Sequence, residues 1–152
     1  MLKIYFRYGF WITIALIVYF LIFRMLGLHD NILLSTPNGI IFGVGIFLAL
    51  KHLKASDPEI DYGKGFVTGF LSGAVASILF AIFMAIYMYQ IDTDFAHQIM
   101  QKWNMGDNLN TAMLVMSLVI LGIATSLILT LTFMQLLKTS WNIGTMKKSR
   151  KL

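Results

Sequence analysis

The sequence predicts an all-α polytopic membrane protein, folded as a bundle of four transmembrane helices. Three observations carry that prediction. Four apolar stretches, each long enough to cross a bilayer, are almost free of charge. Only 12% of the 152 residues are charged while 58% are hydrophobic, about half the charge of an ordinary soluble domain. The basic residues crowd onto alternate connections instead of forming a groove. This pattern bears on location and orientation, not on an activity.

The first span runs over residues 5–26, and its heart, Gly9 to Phe23, holds no charge. Arg7 and Arg24 sit near its ends, where long side chains reach headgroups and act as interfacial anchors. After Phe23 comes Arg-Met-Leu-Gly-Leu-His, without a small-x-small cleavage site, so the span is expected to stay in place. The second span covers 32–53. Pro37 suits a first helical turn there, with Ser35 or Thr36 as cap. The third span, 66–91, and the fourth, 113–137, contain no charged residue. Trp103 and Trp141 flank the fourth and fit the interfacial belt. Such runs are too long for barrel strands, which alternate over about ten residues.

Lysines and arginines set the orientation. Lys3, Arg7, Lys51, Lys54, Lys64, Lys138, Lys147, Lys148, Arg150 and Lys151 fall on one side, against Arg24 and Lys102 on the other. The positive-inside rule then puts both termini in the cytoplasm. The net charge of +5 reads as topology signal and contact with anionic headgroups, not as a nucleic-acid surface.

Span three carries the sharpest pattern. Gly65, Gly69, Gly73, Ser77, Ala81 and Ala85 recur every four residues along one slowly turning stripe. Apolar burial drives little association between helices in lipid, so small residues that admit a neighbouring backbone mark the contact. Span four has a weaker set in Ser117, Gly122, Ser126 and Thr130, and span two offers Gly39, Gly43, Gly45 and Ala49. Spans two, three and four are therefore expected to pack together. The stripe serves either packing within one chain or packing against a second copy or a membrane protein partner. Between spans three and four, Thr93 to Asn104 reads as a short surface helix capped by Asp92 or Thr93, with Phe95, Ile99 and Trp103 on one face.

Chemistry-bearing patterns are sparse. The chain has no cysteine, which excludes disulfides and thiolate chemistry. His29 and His97 fall outside and His52 inside, so a shared metal site is not expected. His97 with Asp92 and Asp94 reads as solvated loop. There is no H-E-x-x-H, P-loop or G-x-S-x-G. The carboxylates Asp57, Glu59 and Asp61 sit in a short charged connection that reads as a turn. No ionisable group lies at a span midpoint, which argues against a proton-coupled pump. The span-four hydroxyls Ser117, Thr125, Ser126, Thr130 and Thr132 are expected to bond helix carbonyls; lining a passive route is their alternative role. Tyr19, Tyr87 and Tyr89 read as interfacial. No catalytic residue, cofactor or metal is expected.

Tyr62-Gly63-Lys64-Gly65-Phe66 leading to Gly69, followed by Tyr87-Met88-Tyr89-Gln90-Ile91-Asp92, resembles a four-span membrane family of Bacteroidota catalogued as domain of unknown function 4199. Members often carry proline after that aspartate, where this chain has Thr93. The resemblance implies a small inner-membrane protein and supplies no catalytic residue, cofactor or substrate. The leading expectation is a non-enzymatic structural, accessory or assembly component; the alternative is an oligomeric small-solute transporter or channel subunit. Four crossings require both termini on one face of the membrane. Reporter tags at the two ends should therefore be protected or exposed together, and opposite accessibility would refute the helix count.

Overall fold

Five α-helices and one π-helical turn make up the protein in a computed structural model that describes residues 2–27, 36–56, 61–102 and 110–149. Helix α1 spans Leu2–Met25, α2 Thr36–Ser56, α3 Tyr62–Ile86, α4 Thr93–Lys102 and α5 Thr111–Ser149. The π-turn, Tyr87–Ile91, continues α3 directly. Among the described residues, α1, α2, α3 with its π-turn, and α5 are long and apolar enough to cross a membrane. Residues 32–35 of the expected second span lie outside the described residues, and α2 is seen from Thr36. Helix α5 runs on well past residue 137. Its 39 residues extend about 58 Å, nearly twice the ~30 Å hydrocarbon core.

These stretches fold as helices because hydrocarbon offers no partner for a free N–H or C=O, so each span must satisfy its own backbone. Gly27 ends α1 at φ 66°, the left-handed conformation that halts a helix at low cost in glycine. Asp61 opens α3, its carbonyl accepting from the N–H of Lys64 and Gly65. Asp92 opens α4, its Oδ1 accepting from the Phe95 N–H at 3.0 Å.

Helix α3 is the hub. It packs against α1, α2 and α5, and 39% of its span is buried against 11% of α5's. The residues it buries are mostly small: Gly65, Thr68, Gly69, Ser72, Gly73, Ala76, Ser77 and Ala81. Its Val67, Ile78, Ile82 and Ile86 point outward. The same inversion recurs on α5, where Met116, Ile120, Leu121, Ile128 and Leu136 are exposed. Water would not tolerate apolar surface on this scale; hydrocarbon does, and close packing then holds the helices together.

Helices α3 and α5 meet as an antiparallel ladder. A Cβ added to Gly65 would lie within 3 Å of Met134, one on Gly69 within 3 Å of Thr130, and one on Gly73 against Ser126. One step further the roles reverse, and a Cβ on Gly122 would meet Ser77. Each step of four along α3 is thus matched by a step of four back along α5. Helix α2 closes the third side with Leu50 near Gly69 and Ile46 near Gly73. Helix α1 packs on another face of α3. Gly9 lies against Val75 and the Ser72 carbonyl, and Thr13 Oγ1 donates to Gly9 O at 2.8 Å and reaches Ala76 O at 3.4 Å. Gly45 admits Ile12 between α1 and α2.

Helix α4 is amphipathic. It buries Phe95, Ala96 and Met100 against Met84, Tyr87, Met88 and Leu114, so it roofs one end of the bundle. That end is opposite the one bearing Tyr8, His52 and Gly65.

Gly73→Leu should abolish the α3–α5 contact, because the new side chain overlaps Ser126 and Ile46, at a cost of about 3 kcal/mol or more. Gly39→Leu should be neutral, since nothing among the described residues lies within 4 Å of the position. Thermal unfolding of the two variants in detergent checks the contrast.

Candidate functional site

At the roofed end, three chain segments, α1, the π-turn that ends α3 and the start of α4, converge around Arg24. Its Nε donates to Tyr87 Oη at 3.1 Å, and its Nη2 makes an ion pair with Asp92 Oδ2. Its guanidinium lies 4.8 Å from the centre of the Phe95 ring, a cation–π contact. Phe20 supplies the apolar floor, edge-on to Tyr87 at 5.0 Å and to Phe95 at 5.7 Å. Arg24 Nη1 is buried without a hydrogen-bond partner among the described residues.

The π-turn makes this convergence possible. In an α-helix, residues five apart point about 140° from each other. Here the Asp92 N–H donates to Tyr87 O at 2.9 Å, closing a five-residue turn. The wider turn brings Tyr87 and Asp92 under one guanidinium. Asp92 thereby does two jobs, one oxygen holding Arg24 and the other capping α4. No member of the cluster forms a nucleophile–base pair. The arrangement ties α1, the end of α3 and α4 together and neutralises a cation near the membrane boundary.

Arg24 therefore turns inward to Asp92 and Tyr87, where a headgroup anchor was expected, because a carboxylate and a phenol at fixed positions outcompete mobile lipid. Tyr87 is likewise buried within the protein, its hydroxyl accepting from Arg24. Arg7 does stand exposed at the opposite end, 5.7 Å over the Tyr8 ring. Trp103 and the side chain of Trp141 lie outside the described residues. Of the small-residue stripe, Gly65, Gly69, Gly73 and Ser77 face α5, Ala81 is buried and Ala85 is half-buried. Gly122 and Ser126 are their partners on α5, and Ser126 Oγ donates to Phe70 O at 2.9 Å. Ser117, Thr125 and Thr132 donate to carbonyls of their own helix at 2.7–2.8 Å. In span two, Gly45 packs closely, Gly43 makes ordinary contacts and Gly39 has no neighbour within 4 Å among the described residues.

Two features escaped sequence reasoning. The α1–α3 contact at Gly9 and Thr13 had a signal, small residues four apart in an otherwise bulky span. The Arg24–Asp92 pair had none, since 68 residues separate the partners. Among the described residues, no three His, Cys, Asp or Glu side chains gather as a metal site.

A chain whose described residues form no strand and include four membrane-length apolar helices, packed through small residues, is a polytopic membrane protein. The family described as "Protein of unknown function (DUF4199)" matches residues 7–139, and the chain belongs to it. No curated protein and no solved structure matches the chain.

The side chains of Arg24 and Asp92 are 20% and 21% exposed. The pair thus falls between screened surface pairs and fully buried ones. Asp92→Asn should cost about 1–3 kcal/mol and accelerate backbone hydrogen exchange across residues 93–102. Unchanged exchange there would show that α4 is held by its apolar face alone.

Proposed function

We propose that this protein is a non-enzymatic structural, accessory or assembly component of a bacterial inner membrane, with both termini in the cytoplasm. The ten basic residues on one side of the spans support that orientation. The observation that carries the role is the closure of the α3–α5 ladder. Side chains of α5 and α2 fill the space at Gly65, Gly69 and Gly73, leaving no gap there for a solute path. Three of the five span-four hydroxyls are engaged by their own helix and Ser126 by a neighbouring one. The outward apolar face of α5 offers a partner protein a surface as readily as it meets lipid.

A second reading, an oligomeric transporter or channel subunit for small solutes, draws on Thr68 and Thr130. Both are buried, at 1% and 0% exposure, and their hydroxyls have no hydrogen-bond partner among the described residues. Gentle-detergent capture from native membranes, followed by intact-complex mass measurement, separates the two readings. A stable heteromeric complex is the expected result. A homo-oligomer without a second protein would move the assignment to transport.

A further inference from the structure

A groove of about 400 Å³ runs along the outer surface between α1 and α2. Trp11 and Ala15 form one wall and Val44 and Leu48 the other, with Tyr8 at one end. On α1 it extends from Tyr8 to Ala15 and on α2 from Ile40 to Leu48, or about 10–12 Å along each helix. It exists because Ile12 seats against Gly45 behind it, while the bulkier residues in front hold the two helices apart.

Both walls change character at the same end. On α1, Lys3 and Arg7 continue the line of Trp11 and Ala15 at four-residue steps. On α2, Lys51 and His52 follow Leu48 by three and four residues. All four are exposed. Two of them flank Tyr8: its ring lies 5.8 Å from His52 and 5.7 Å from the Arg7 guanidinium. Neither Arg7 nor Lys51 has an ion-pair partner among the described residues.

We infer that the α1–α2 groove is a binding site for an anionic phospholipid, with an acyl chain along Trp11, Ala15, Val44 and Leu48 and its phosphate at Arg7 and Lys51. An apolar slot that ends in positive charge without an ion-pair partner among the described residues complements a lipid of that class, and zwitterionic lipids complement it less because their headgroups carry no net charge. The site is separate from the small-residue ladder and does not depend on the role proposed above.

Trp11 reports on the groove directly. In a Trp103→Phe/Trp141→Phe background it is the sole tryptophan of the three. The full-length protein is reconstituted in phosphatidylcholine vesicles doped with a small, equal fraction of brominated phosphatidylglycerol or brominated phosphatidylcholine. The anionic quencher should be at least about fivefold more effective, equivalent to about 1 kcal/mol. Arg7→Gln/Lys51→Gln should erase that preference while helical content, read by circular dichroism, stays unchanged. Equal quenching by the two lipids, or a preference that survives the double substitution, overturns the site. So does absence of quenching by either, the result expected if a second copy of the chain fills the groove.

Discussion

Everything in the bundle depends on how closely α3 can approach its neighbours. Hydrocarbon surrounds apolar side chains as comfortably as another helix does, so burial of leucine or isoleucine adds little to association. Dispersion contacts between closely apposed surfaces must supply the cohesion. Glycines at 65, 69 and 73 remove the side chains that would hold α5 away, and α5 fills the gap with Met134, Thr130 and Ser126. At the next step α5 yields instead, with Gly122 receiving Ser77. Helix α2 packs over Gly69 and Gly73, and α1 reaches α3 through its own Gly9. The bulky residues that a soluble bundle would bury are turned outward.

The roofed end is built on different physics. The small residues of α3 run out near Ala85, and aromatic rings take over with Phe83 and Tyr87. Packing there rests on edge-to-face contacts among Phe20, Tyr87 and Phe95. A charged pair is admitted at their rim, where both partners keep some contact with solvent. The local change from α to π geometry marks this boundary. It re-aims one residue, Asp92, so that α1 and α4 are joined through the same carboxylate.

Elements with local causes were legible from residue order. The four spans follow from long charge-free runs. The face of α4 expected at Phe95, Ile99 and Trp103 shares only Phe95 with the buried set Phe95, Ala96 and Met100, Ile99 being half-buried. The cap at Asp92 follows from spacing within about ten residues. The four-residue stripe on α3 was readable for the same reason. Its partner residues on α5 were only partly so: Gly122, Ser126 and Thr130 stand on the ladder, whereas Ser117 points elsewhere and bonds Leu114. Nothing in Tyr-Met-Tyr-Gln-Ile announces a π-turn, because those residues are equally at home in an α-helix.

Transfer of each residue between water and lipid is nearly additive along the chain. Composition and charge spacing are therefore enough to predict four helices long and apolar enough to cross a membrane, with the basic residues on alternate connections. Steric fit is not additive. Whether Gly45 or Gly39 seats a neighbour, whether Arg24 meets a headgroup or Asp92, and which stretch of α1 shares a groove with α2 depend on residues dozens of positions apart coming within a few ångströms. Those choices exist only once the helices have packed.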